Sequence, residues 1–224
     1  SLRVNSVTLS LIGSLGEVRK SGLTFAVETP TIEGQRGINK EVPAERVISI
    51  LHEAKSKGWK LAKFYFMLGL PVASDTDEEQ AIIDYLISVQ QETGMKLNVN
   101  LGTFIPKPHT PFERVPQLTD EDAINRIRKI RDGLRSNRNI KFSFHSPYVS
   151  FLEGILSRGD TRAGRLAYEA WKNGAAFDAW DDRMDKDAWK SAIADADWDV
   201  ENEICRGRGA EENLPWDGVN LGVT

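Results

Sequence analysis

Residues 97–112 read LNVNLGTFIPKPHTPF, and this stretch decides the fold class. Leu97, Val99 and Leu101 alternate with Asn98, Asn100 and Gly102. A period of two describes a strand with one apolar face and one small, polar face. The alternation stops at Pro106, where Lys107, His109 and Thr110 are interleaved with Pro106, Pro108 and Pro111. Proline fixes φ, so these polar side chains leave from a stiffened turn. A strand ending in a rigid polar turn is how α/β enzymes present groups at the carboxyl edge of a sheet. An ordinary strand-to-loop exit has the same pattern.

Upstream, the pattern repeats. Leu61 to Leu68 alternates Phe64, Phe66 and Leu68 with Lys63, Tyr65 and Met67, and ends at Gly69-Leu70-Pro71. Leu23 to Glu28 sets Leu23, Phe25 and Val27 against Thr24, Ala26 and Glu28, and Leu2 to Thr8 reads as a further short strand. Helices are predicted over Ser10–Lys20, Pro43–Lys57 and Asp75–Thr93, stopped by Gly22, Gly58 and Gly94. The order β-α-β-α-β-α-β with short connections predicts an α/β fold with a parallel sheet and right-handed crossovers. Asn5, Thr24, Glu28, Lys63, Tyr65, Asn98 and Asn100 share one strand face. A closed, filled barrel would carry branched apolar residues there, so this face is expected to line a cavity holding water or a polar ligand. A solvated face is the alternative.

The remainder is mainly helical. Helices are predicted over Thr119–Arg135, Tyr148–Leu156, Arg162–Asn173 and, weakly, Lys186–Ala194, with a short strand at Ile140–Phe144. We therefore expect a sheet domain over residues 1–116 and a helical extension over 117–224.

Composition narrows the function classes. The chain has 224 residues and a formal net charge of −4, with both signs mixed along it. Arg126, Arg128, Lys129, Arg131 and Arg135 form a basic helical stripe without interleaved aromatics in the sequence, which reads as a solvated face, so nucleic acid is not indicated. No apolar run approaches a membrane span and no signal peptide is recognisable, which points to a cytoplasmic protein. The lone Cys205 excludes an internal disulfide and a multi-cysteine metal site, and reads as a plain surface thiol. His145 reads as structural, and Arg158 with Asp160 as a turn pair. The chain opens on the strand-like Ser1-Leu2-Arg3-Val4, as though cut or split inside a fold.

TFAVE followed by INK, then KFYFMLGLP, NLGTFIPKPHTPF, SFLEGILSRGD, FDAW and LPWD occur in this order. Together they resemble a bacterial family of radical S-adenosylmethionine (SAM) proteins, the group with an N-terminal cobalamin-binding domain. The likeness extends from about Leu2 to Val223. It implies a partial, TIM-like (β/α) barrel of six strands, open on one side, of which this chain would supply the third to sixth. The first two strands, the CxxxCxxC loop that binds the 4Fe-4S cluster and the cobalamin domain are not in this sequence. An N-terminal half carrying them is the implied partner.

The resemblance implies roles for individual residues. Glu28, ending the fourth barrel strand, would face the SAM ammonium, and Lys40, twelve positions later, its carboxylate. Tyr65 would approach the ribose, the backbone at Gly69 would admit the adenine, and Phe104 would pack on that base. A carboxylate for an ammonium and an ammonium for a carboxylate are sensible pairings. Lys107 and His109 are the substrate-side candidates. No metal ligand and no catalytic residue can be named. The bland alternatives are an ion pair from Glu28 to Lys63, a solvated Lys40 and a turn-capping His109. Where the family has PEAG and an arginine-rich loop, this chain has VETPTIEGQRG, and HDP is replaced by His145-Ser146-Pro147. The expected function is a part of a cobalamin-type radical SAM enzyme. The alternative is a non-catalytic scaffold or partner half.

Overall fold

A computed structural model describes residues 22–72, 77–176, 178, 183–220 and 222. The elements expected at Leu2–Thr8 and Ser10–Lys20, with Asn5, lie outside the described residues, as does Asp75. The chain divides into two compact units. The described residues of the first run from Gly22 to Phe104 and from Asp120 to Pro147, and the second combines Ile105–Thr119 with the chain from Tyr148 onward.

The first unit is an α/β layer. Strands β1 (Leu23–Glu28), β2 (Leu61–Leu68), β3 (Lys96–Thr103) and β4 (Ile140–Phe144) form an all-parallel sheet in sequential order. The connections carry α1 (Ile32–Gly37), α2 (Ala44–Ser56), α3 (Glu78–Thr93) and α4 (Asp120–Leu134). Register aligns Phe25, Phe64, Val99 and Phe142 in one cross-sheet row and Thr24, Lys63, Asn98 and Lys141 in the next. The alternation read at 97–101 is therefore shared by all four strands. Phe25 stacks on Phe64 with centroids 5.3 Å apart, and Tyr85 of α3 meets Phe64 and Phe66 edge-on. Such aromatic pairs add to simple area burial. Phe64, Leu68, Leu97 and Leu101 are fully buried, whereas Lys63 and Tyr65 on the opposite face are exposed. Parallel sheets normally bury both faces. Here the described helices cover one, and the polar face is the one left accessible.

The short α1 forms although Pro30 precedes it and Gly34 lies within it, residues that usually mark a loop. Thr31 caps it, its hydroxyl accepting from the Gly34 N–H at 3.1 Å. Asp77 caps α3 in the same way through Gln80 N–H, and Gly94, at φ 59°, ends that helix.

The second unit is helical: α5 (Pro147–Arg158), α6 (Thr161–Lys172), α7 (Lys186–Ala194) and α8 (Val200–Cys205). Phe151, Leu152, Ile155, Leu166, Trp189 and Ile204 build its core. The domain division differs from the expected break at 116. The α4–β4 crossover belongs with the sheet, because β4 pairs with β3 from Leu97↔Ile140 to Leu101↔Phe144. The 105–119 segment belongs with the helices, because Gln117 N–H donates to Cys205 O at 2.9 Å and Arg208 N–H to Arg114 O at 2.8 Å. These backbone bonds tie sequence-distant segments, so no periodicity announces them.

Two structural expectations are corrected. Cys205 is buried rather than a surface thiol, with its Sγ 3.8 Å from Leu118 O. Arg158 does not pair with Asp160. It is fully buried, and its guanidinium donates to Ile204 O at 3.2 Å, Arg206 O at 3.2 Å and Glu113 O at 3.4 Å. Asp160 instead caps α6 and pairs with Arg162 at 2.9 Å. No described helix is long and apolar enough to cross a membrane.

Candidate functional site

The carboxyl end of β1 is the most elaborated point of the first unit. The register with β2 shifts between Ala26 and Glu28, and Glu28 takes φ 66°, a left-handed backbone that an L-residue with a long side chain rarely adopts. The chain then turns at once, Thr29 N–H donating to Val27 O at 2.9 Å. Gln35 of α1, buried to 1% exposure, holds the loop from inside. Its amide donates to Thr29 O at 3.0 Å and accepts from Val42 N–H at 2.7 Å. Lys40 N–H donates to Gln35 O at 2.8 Å, and Asn39, at φ 53°, provides the second reversal. The result brings Lys40 Nζ to 2.6 Å from Glu28 Oε1.

The structure thus brings together the two residues that the sequence motif placed twelve positions apart. Glu28 pairs with Lys40, not with Lys63. Both side chains remain partly accessible, at 21% and 37% exposure. An exposed pair of this kind contributes little to stability, about 0–1 kcal/mol. It does offer adjacent anionic and cationic groups, which match the ammonium and carboxylate of an α-amino acid.

Tyr65 lies on the accessible sheet face, 40% exposed, in register with Ala26 and Asn100. Gly69 follows β2 at φ 81°, a conformation suited to glycine. Its N–H donates to Glu78 Oε2 at 3.1 Å. Phe104 follows β3, and its N–H donates to Leu68 O at 2.9 Å, so Gly69 and Phe104 lie near the carboxyl ends of adjacent strands. Asn100 donates to Ser143 Oγ at 3.2 Å, and Ser143 to Val99 O at 2.9 Å.

Behind Gly69 lies a charge network that sequence reasoning missed. Arg126 of α4 pairs with Glu78 at 2.6 Å and also with Glu79, and Lys129 pairs with Asp77 and, at 3.3 Å, with Glu79. Part of the basic stripe is therefore engaged by the first turn of α3. Burial pushes the Glu78 carboxyl above its usual range, against the Gly69 N–H and Arg126, which favour the anion. The Lys129 ammonium, hydrogen-bonded to Asp77, holds that carboxyl down at about 2. In the sequence, this acidic first turn signals only a helix start.

Lys107 and His109 belong to the second unit. Lys107 is ion-paired with Glu153. His109 is exposed and takes φ 57°, its N–H donating to Glu113 Oε2 at 2.8 Å. Glu113 Oε2 also accepts from Trp216 Nε1 at 2.8 Å, so the proline-rich turn is fastened to the segment near the carboxyl terminus. Among the described residues, no group of three or more His, Cys, Asp or Glu is placed to hold a metal ion.

An uncharacterized protein of the archaeon Methanocaldococcus jannaschii is 28% identical over 160 residues, covering 71% of this chain and 34% of that protein. The chain therefore spans about a third of that relative's length. No protein-family model and no solved structure matches.

Proposed function

We propose that this chain is the SAM-facing part of a cobalamin-type radical SAM enzyme, whose cluster loop and cobalamin domain are supplied by a further polypeptide segment. One observation carries the reading: the Glu28–Lys40 pair at 2.6 Å, held on a left-handed backbone at the carboxyl end of β1. The pair has the polarity to exchange its internal partner for an amino-acid zwitterion. Glu28 would take the ammonium and Lys40 the carboxylate of SAM's methionine end. Tyr65 offers a hydroxyl for the ribose, and Gly69 and Phe104 flank the place of the adenine.

The residues of this chain suit SAM but not the cluster. A cubane cluster takes about three or four thiolates, and the sequence has Cys205 alone, which is buried in the second unit. Cleavage of SAM to a radical, or methyl transfer, would be chemistry supplied by the cofactors. This chain's share is to bind and orient the SAM zwitterion. The solitary cysteine also suits the second reading, a partner half without cofactor contacts.

The test is calorimetry of SAM binding by this chain assembled with the cluster-bearing half. Glu28→Gln and Lys40→Gln should each weaken binding roughly tenfold, as expected for a lost charge-assisted bond of about 1.5–3 kcal/mol. Lys57→Ala, on the outer end of α2, should bind as the parent does. Equal affinity in all variants, or no binding by the parent assembly, overturns the reading.

A further inference from the structure

A second site lies at the opposite, amino-terminal end of β4. An open cleft of about 550 Å³ runs between the end of α4 and the edge strand, lined by Arg131, Arg135, Arg138, Asn137, Leu134 and Phe142, with Asp132 and Ile140 at its sides. The charge balance is local. Residues 126–141 carry seven lysines and arginines and the single acid Asp132, in a chain whose net charge is −4. Arg126 and Lys129 are neutralised by Asp77, Glu78 and Glu79. Arg131 reaches Asp132 at 3.5 Å. Arg135 and Arg138 have no ion pair and no side-chain hydrogen bond among the described residues, and both are exposed. Positive groups left unpaired around a cleft concentrate anions.

The aromatic component is what the linear sequence did not show beside the stripe. Phe142 lines the same cleft, and Phe144, 39% exposed, follows it on the same face of β4 with ring centroids 6.3 Å apart. Phe142 is half-buried and Phe144 exposed, and Phe142 lines the cleft together with the guanidinium groups. Asn137 is held in place, donating to Gln90 Oε1 at 2.9 Å and accepting from Asn139 N–H at 3.1 Å.

We propose that this cleft binds single-stranded nucleic acid, Arg135 and Arg138 contacting phosphates and Phe142 stacking on an unpaired base. Guanidiniums match phosphate geometry, and base–aromatic stacking with a cationic groove is the general chemistry of single-strand binding. A duplex keeps its bases stacked on one another and offers Phe142 no face. The proposal does not depend on SAM binding.

The experiment is fluorescence anisotropy of the full chain with labelled oligouridylate and oligothymidylate of about fifteen nucleotides, across a salt series. The Arg135→Gln/Arg138→Gln variant should bind both at least tenfold more weakly, with a salt slope reduced by about 1.4, or roughly 0.7 per lost phosphate contact. Phe142→Leu keeps an apolar filler but removes the ring, and should weaken binding roughly fivefold or more with an unchanged slope. The Lys57→Gln/Lys172→Gln variant removes two exposed charges that do not line the cleft and should bind as the parent does. Circular dichroism establishes that each variant is folded. No binding at low salt, equal binding by the double arginine variant, or polyglutamate binding as tight as RNA with no response to Phe142→Leu would overturn the proposal. The last outcome would mark the cleft as a surface for an acidic protein.

Discussion

Lys40 Nζ lies 2.6 Å from Glu28 Oε1, although the two are twelve positions apart with a complete helix between them. The contact depends on three features with no apolar periodicity: the left-handed turn at Glu28, the buried Gln35 amide and the second reversal at Asn39. The geometry is therefore a property of the loop, and substitutions in the loop should disturb it without touching either charge.

Gly34 is the first such position. A Cβ there would lie 2.8 Å from Thr29 Oγ1 and 2.9 Å from Thr31 Oγ1. Both threonines are fixed, one buried and the other capping α1. Gly34→Ala should lower the unfolding free energy by about 1–3 kcal/mol, the usual cost of overpacking. Denaturant titration checks this, and an unchanged midpoint would mean that the loop accommodates a methyl group.

Glu28 tests backbone strain separately from charge. At φ 66°, glycine is free of the Cβ clash that alanine retains. Both Glu28→Gly and Glu28→Ala abolish the Lys40 pair. The glycine variant should nevertheless be more stable by about 1 kcal/mol, because the strain is relieved. Equal stability of the two would show that φ relaxes once the ion pair is gone.

These loop features also mark where sequence reading ran out. Strands β1 and β2 lie where alternation puts them, because a period of two reports directly on which residues face the helices. The α1 helix was hidden by Pro30 and Gly34, and its six residues are too few to display a helical period. Motif spacing singled out Glu28 and Lys40, but it did not show their mutual contact. Arg158 and Gln117 were invisible as core residues, since their partners are backbone carbonyls rather than complementary side chains. Phe142 was read only as a strand residue. Its place beside Arg135 follows from α4 ending where β4 begins.

The second unit should respond to acid through Glu212. Arg206, hydrogen-bonded to it, holds this carboxyl at about 2 instead of its ordinary 4.5. The folded value lies below the unfolded one, so the unfolded state binds the proton more readily. The stabilisation is complete above the unfolded value and is lost as pH falls from about 4.5 toward 2. Thermal midpoints should fall across that window, and Glu212→Gln should flatten the dependence. An identical pH profile in the variant would show that the pair contributes nothing to folding.

Burial of Cys205 gives a chemical test. Its Sγ faces Leu118 O in a closed core, so iodoacetamide should label the native protein slowly and the urea-unfolded protein rapidly. Anaerobic reconstitution of this chain alone should yield no stoichiometric iron and sulfide, for want of thiolates. Rapid native labelling would mean that α8 opens readily. A stoichiometric cluster would overturn the proposal that a further segment supplies the cluster loop.

Arg158 is the most consequential residue of the second unit. Its planar guanidinium serves three carbonyls, of Glu113 and, far away in sequence, of Ile204 and Arg206 around the end of α8. Arg208, also buried, donates back to Arg158 O at 3.1 Å. Two buried cations are tolerated because Glu203 and Glu212 lie 3.5 Å from Arg208, and both carboxylates also pair with Arg206. Arg158→Met should destabilise this unit by about 3 kcal/mol or more, because buried carbonyls lose their donors. Arg158→Lys should not rescue it, since a single ammonium cannot span three acceptors set for a fork. Tryptophan fluorescence reads the outcome selectively, because Trp59 is the only tryptophan in the sequence of the first unit. A lysine variant that unfolds with the parent would show that charge alone, rather than the shape of the guanidinium, holds these segments together.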